Sequence, residues 1–451
     1  MSKNSKFISK SFNREGLFNY FLIPYFAVLI YFVYKTSNTL PPFRDEAVSL
    51  SANISFYLEG LSFKGPAGTK FEGSYSPYLT SPPLSAVGSS IAWIFSDNFN
   101  TIRISNFIWV LAVQVFYTKY ISKLYRLDLR KLIIYSGFTL ISFPFWFGSL
   151  YSLGETISII IFFNSLLLYK AFPKTSIFMM GWIVFFGKFL LGFLFIFFYI
   201  ANLLINRNFK KAPLEILLYL IPSGLWFFLI RSKSNYSSIS NYLNDFNTIY
   251  QNNTYVGEFS LTNLYNFQYI IDNFEVVLSW NPSVILRVFL PPILLFCVLI
   301  FKKGEGFMLD STQLFYFVSS IAPLFGWFIL ISPDKPLIYA THFTFPLLMY
   351  CFYLLSRNDL KINIVNNSAF LICSLYMTSN ALFILSIITL ILINFSKRLS
   401  YSIFIIFISL SLFNSTYEVI QQKSYVVDLE TCKRDVTSYD CFEYLMSIGK
   451  S

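Results

Sequence analysis

The sequence predicts an all-α polytopic membrane protein, and three observations carry that prediction. Mean hydropathy is +0.57 over the whole chain, well above what a water-soluble domain carries. Hydrophobic residues make up 55% of the 451 positions and charged ones only 13%, with 54 Phe and 31 Tyr. Apolar runs of roughly 17–22 residues recur along the chain, each long enough to cross a hydrocarbon layer of about 30 Å. Backbone polar groups in such runs must be satisfied within the run, which makes them helices.

The elements follow in order. Lys3, Lys6, Lys10 and Arg14 precede a first span at 17–35 and place the N-terminus in the cytoplasm. A long polar and aromatic stretch, 36–100, forms the first external loop, with interfacial helices. The span at 101–118 returns to the basic cluster Lys119, Lys123, Arg126, Arg130 and Lys131. Spans at 132–149 and 156–169 go out and back, with Glu155 at the outer turn and Lys170 and Lys174 inside. The run 175–205 is too long for one straight span; Gly187-Lys188 breaks it into two short helices turning at the outer side and ending near Arg207, Lys210 and Lys211. A span at 213–230 leads to a second external loop, 231–282, and further spans fall at 283–301, 311–331, 342–356, 363–379, 381–395 and 399–414. The total is about 13 helices in a transmembrane domain over 1–414, with 415–451 an external tail.

The formal charge of +11 does not point to nucleic acid. Lys and Arg lie in short clusters between apolar runs, as the positive-inside rule requires of cytoplasmic loops, and there is no long basic tract. Cys432 and Cys441 fall in the external tail, where an oxidising compartment would favour a disulfide between them. His342 is the only histidine, so a Cys/His metal set is excluded.

The candidate chemistry is carried by Asp45, Glu46, Arg103, Glu155, Lys188 and His342, all of which this topology brings to the outer membrane face. A carboxylate at the lipid boundary is partly desolvated, which makes it a better general base. Glu46 and Glu155 would position groups or hold a divalent ion, the one cofactor such a set suggests. Lys188 and Arg103 supply the positive charge that a phosphate leaving group needs. Each has a plainer reading: Asp45, Glu46 and Glu155 as acids at helix N-termini, Lys188 reaching for the interface, Arg103 as an anchor and His342 as a structural residue.

Motif order adds a resemblance. Asp45 and Glu46 in FRDEAVSLS open the first external loop; Pro82, Pro83 and Leu84, an apolar helix and Arg103 follow in TSPPLSAVGSSIAWIFSDNFNTIRISNFI. This order resembles the GT-C fold glycosyltransferases, in particular the protein O-mannosyltransferases and lipid A aminoarabinose transferases. Weaker echoes are Glu155 in SLGETISIII, Lys188 in VFFGKFLLG and Thr341-His342-Phe343. The position of a phosphate-holding Lys in the aminoarabinose transferases is Ser81 here. The resemblance covers roughly 1–210 and is architectural beyond.

It implies transfer of a sugar from a polyprenyl-phosphate donor to a lipid, glycan or protein acceptor at the extracytoplasmic membrane face, and the style of the chain favours a bacterial inner membrane over an endoplasmic reticulum. Asp45 would be the general base and the outcome inversion. Tyr75 and Tyr78, between the acids and Pro-Pro-Leu, are the best candidates to line the sugar or prenyl groove. Two other functions fit a polytopic chain. A polysaccharide polymerase or ligase would use 231–282 as its main loop; a secondary transporter or flippase would place charge at the bilayer midplane.

Overall fold

The computed structural model describes residues 63–64, 75–76, 99–129, 154–187, 189–207, 209–233, 267–278, 311–330 and 337–356, with parts of 26–37 and 132–150. Helices dominate: α1 (29–37), α2 (Phe99–Tyr125), α3 (Glu155–Leu168), α4 (Pro173–Gly181), α5 (Ile183–Phe186), α6 (Leu194–Asn206), α7 (Ala212–Lys233), α8 (Phe267–Leu278), α9 (Ser311–Leu330) and α10 (Leu337–Leu355). Taken over its described residues, no helix is long and apolar enough to cross a membrane. The spans placed at 283–301 and from 363 onward, and the pair Cys432/Cys441, lie outside the described residues.

The bundle is organised around α3. Every residue from Glu155 to Leu167 is buried, the mark of a helix packed on all sides. Around it stand α2, α4, α9 and α10. Phe163 meets Phe317 of α9 edge-on at 5.3 Å between centroids, and Phe162 meets Phe198 of α6 at 6.4 Å. Polar residues on α3 find partners on its neighbours. Asn164 Nδ2 donates to Gln114 Oε1 of α2 at 2.9 Å, Gln114 Nε2 to Tyr353 Oη of α10 at 3.2 Å, and Tyr353 Oη back to Asn164 Oδ1 at 2.5 Å. This closed ring ties three helices, because polar groups buried in an apolar bundle must be paired.

The break within 175–205 falls where two short helices meet. α4 and α5 rise to Gly187, and a 3-10 turn (Phe189–Phe193) starts the return along α6. A Cβ on Gly187 would collide with Ser158 Oγ, one turn into α3. Glycine here lets the hairpin tip sit directly on the N-terminal end of the central helix. A second close approach joins α4 to α7, where a Cβ on Gly181 would run into the carbonyl oxygen of Tyr219. Gly181→Val is therefore expected to destabilise the protein by about 1–3 kcal/mol, the usual cost of overpacking, read as a lowered midpoint of thermal unfolding in detergent.

α6 and α7 turn apolar stripes outward. Ile196, Ile200 and Leu204 on α6 and Leu217, Ile221 and Leu225 on α7 are all exposed, Leu204 by 67%. Their spacing of four residues places each set on one helix face.

Two elements depart from the sequence expectation. The stretch 36–100 holds an antiparallel strand pair, β1 (Phe63–Lys64) with β2 (Tyr75–Ser76), in the register Phe63↔Ser76 and Lys64↔Tyr75. Gly65-Pro66 and Gly68 between them are turn-forming residues that fit such a ribbon. The stretch 231–282 contains α8, packed on α9. Phe267, Ile270, Ile271, Phe274, Val277 and Leu278 recur at helical period, a signal masked by the polar composition of the surrounding loop.

Candidate functional site

The site is built at the end of the bundle where α1 finishes and α2, α3 and α10 begin. Arg103, in the first turns of α2, is fully buried, and its Nη1 donates to the carbonyl oxygen of Ser37 at 2.9 Å. The last carbonyls of a helix have no partner within it, and the negative end of the helix dipole favours a cation. Arg103 thus closes the carboxyl end of α1. Thr36 Oγ1 turns inward to Phe32 O at 2.7 Å in the same turn.

One turn further along α2, Asn106 Nδ2 donates to the carbonyls of Ser149 and Leu150 at 3.0 and 3.2 Å. This ties the approach to α3 onto α2. Gly154 then adopts φ 75°, ψ −3°, a left-handed conformation that costs glycine nothing. The turn delivers Glu155 as the first residue of α3, where its carboxylate meets the positive end of the dipole of the central helix. Ser158 Oγ donates to Gly154 O at 2.7 Å and locks the turn.

Glu155 and His342 come together. Oε2 of Glu155 lies 3.4 Å from Nε2 of His342, on the first turns of α10, and both side chains are buried. A buried carboxylate is costly unless a partner offsets its lost hydration, and the imidazole, when protonated, is that partner. The pair joins residues separated by 187 positions and closes the site between α3 and α10.

Of the sequence-predicted residues, Arg103, Glu155 and His342 share this end of the bundle. Tyr75 lies in β2, where only the backbone is described; Asp45, Glu46, Tyr78 and Lys188 lie outside the described residues. Gly187, the chain neighbour of Lys188, stands against Ser158 and hence one turn from Glu155. Asn106 and Ser158 were missed. Each sits three residues past a singled-out charge, in Arg103-Ile104-Ser105-Asn106 and Glu155-Thr156-Ile157-Ser158, and so on the same helix face. Among the described residues no three His, Cys, Asp or Glu gather as a metal would require. Glu155 and His342 supply two donors, fewer than a closed site takes, so no step below is routed through a metal.

The cations mark the opposite end. α2 runs down to Lys123 and Arg126, α3 to Lys170, and α6 to Arg207, while α4 and α7 start beside Lys174 and Lys211. Tyr125 Oη holds the Leu167 carbonyl there at 2.8 Å. At the site end the described helices carry Lys35 and Arg103, and α7 finishes with Arg231 and Lys233.

An all-α bundle with a buried central helix, whose N-terminal carboxylate faces a conjoined set of polar helix ends, is the class the fold and site define. Among solved structures, that fold is similar to ArnT from Cupriavidus metallidurans bound to undecaprenyl phosphate, with a TM-score of 0.54 and 11% identity over 88% of this chain and 77% of that one. ArnT of the same organism in the apo state gives a TM-score of 0.42 at 10% identity, over 90% of this chain and 78% of that one. The likeness to the first establishes that the two chains share a helical fold. No protein-family model matches the chain, and no curated protein matches it.

Proposed function

We propose that this chain is an integral membrane glycosyltransferase that moves a sugar from a polyprenyl-phosphate donor to an acceptor hydroxyl. The observation that carries the reading is the gathering of Arg103, Glu155 and His342 at the end of the bundle from which the first external loop departs. Asp45 follows Ser37 by eight residues, so it stands within about 28 Å of that end even if the link is fully extended. Further support comes from the fold, shared over 88% of the chain with a protein crystallised with undecaprenyl phosphate. The outward apolar stripes of α6 and α7 and the mean hydropathy of +0.57 favour a bilayer around the bundle.

In this mechanism Asp45 removes the proton from the acceptor hydroxyl as its oxygen attacks the anomeric carbon. The bond from that carbon to the phosphate oxygen breaks, and the polyprenyl phosphate leaves with the electron pair. A single displacement inverts the anomeric centre. Lys188 and Arg103 oppose the charge growing on the phosphate, and a group so placed acts most strongly where water is excluded. Glu46 orients Asp45. Glu155, held by His342, faces the sugar, and Tyr75 and Tyr78 line its groove. The concentration of cations at the far end supports an orientation with that end cytoplasmic and the site extracytoplasmic.

The test is to supply radiolabelled polyprenyl-phosphate sugars to membranes carrying the protein. Label passing to an acceptor, with release of unlabelled polyprenyl phosphate, is the expected result. Label that crosses to the other leaflet still attached to its lipid would instead make the protein a flippase. Growth of one lipid-linked glycan at the expense of another would make it a polymerase.

A further inference from the structure

We infer that the hairpin of α6 and α7 carries a binding site for an acidic phospholipid, at the end of the bundle opposite the proposed sugar-transfer site. Three observations converge there. The first is charge: Arg207, Lys210 and Lys211 are exposed on the turn between the two helices, and Lys170 and Lys174 are exposed beside them. The second is the apolar path below the charge, the outward stripes of α6 and α7. Phe209, in the middle of the cationic turn, is 65% exposed. The third is that the turn is held in place. Arg207 adopts φ 49°, a left-handed cap that ends α6 abruptly.

The cations are also fixed relative to one another. Tyr169 Oη donates to Asn202 Oδ1 at 3.2 Å, and Asn206 Nδ2 donates to the same oxygen at 2.7 Å. Tyr316 Oη adds a third bond to that oxygen at 2.8 Å. Lys170 follows Tyr169 and Arg207 follows Asn206, so this network joins the two cationic turns through α3, α6 and α9. Gly181 meets Tyr219 about two turns into each helix, which sets the starts of α4 and α7, and with them Lys174 and Lys211, at one level. The acid of this turn, Glu215, accepts a hydrogen bond from Tyr199 Oη of α6 at 3.0 Å, which draws its carboxylate toward the hairpin seam. A phosphodiester with two acyl chains matches this surface: the anion meets Arg207, Lys210 and Lys211, and the chains lie along the two stripes. A zwitterionic lipid offers the same chains without net charge.

The full chain in lipid nanodiscs tests this, through native mass spectrometry of retained lipid and competition with added lipid. Wild-type protein is expected to retain phosphatidylglycerol or cardiolipin over phosphatidylcholine, and Arg207→Gln, Lys210→Gln and Lys211→Gln each to weaken retention about fivefold, the worth of one surface cation. Lys119→Gln and Lys123→Gln, exposed cations of α2 away from the stripes, serve as controls; equal weakening by these would overturn the site in favour of diffuse attraction. Equal retention of phosphatidylcholine would overturn it outright, as would displacement of the retained lipid by undecaprenyl phosphate at equal concentration. Unfolding midpoints measured in neutral lipid separate a lost site from a misfolded variant. None of these readouts depends on sugar transfer, so failure here leaves the proposed reaction standing.

Discussion

Asp45→Asn is expected to lower sugar transfer by about 10²–10⁴-fold, the usual contribution of a positioned general base, with the unfolding midpoint unchanged. The substitution keeps shape and hydrogen-bonding capacity while removing the group that takes the proton. An acceptor hydroxyl is a poor nucleophile at neutral pH, so loss of the base should fall on kcat more than on donor KM. Glu46→Gln serves as the internal comparison. If Asp45 is the base and Glu46 orients it, the Glu46 variant should keep measurable transfer where the Asp45 variant does not. Wild-type turnover by Asp45→Asn would remove Asp45 from the proposed role, and inactivity of the Glu46 variant alone would exchange the two. A lowered midpoint in the Asp45 variant would instead assign the carboxylate to the structure, as an acid at the start of an interfacial helix.

The helical class was legible because it depends on amounts. A chain with 55% hydrophobic residues and apolar runs of span length has few ways to satisfy its backbone except as packed helices. The hairpin turn at Gly187 was legible for a local reason, since a charged residue beside glycine interrupts an apolar run too long for one helix. The sharing of one bundle end by Arg103, Glu155 and His342 was legible from alternation of spans alone. What the sequence did not reveal are contacts between distant segments. Nothing near Glu155 announces His342, and nothing in the run around Asn164 announces the ring through Gln114 and Tyr353. Those polar residues sit inside apolar runs, where composition reads them as exceptions; the fold makes them the ties between helices. Arg103 shows the converse. Its place at the same bundle end as Glu155 was readable, but its bond to the end of α1 depends on how two helices meet.

Breaking the Glu155–His342 contact is expected to have the second largest effect, and a double-mutant cycle shows what kind of effect it is. With the imidazole protonated the contact is a buried ion pair, and removing one member of such a pair costs about 3–5 kcal/mol, because the other charge remains buried without its partner. Glu155→Gln costs less than that, since the amide fills the same space and an imidazole left without its partner can shed its charge, as a carboxylate held beside Ala cannot. His342→Ala leaves the carboxylate in place and should be the more destabilising of the two. With both changed, the loss should fall short of the sum of the singles by about 0.5–3 kcal/mol, the range for residues in contact. Additive losses in unfolding midpoint would mean that the 3.4 Å approach carries no coupling energy. Transfer distinguishes the roles further. If Glu155 faces the sugar and His342 only holds it, Glu155→Gln should lower kcat or raise donor KM at temperatures where the variant is fully folded. His342→Gln, which retains a side-chain donor toward the carboxylate, should then recover much of the activity lost in His342→Ala. Full transfer by folded Glu155→Gln would leave the pair a fastening between α3 and α10 and shift the sugar contacts to Asp45, Glu46 and Lys188.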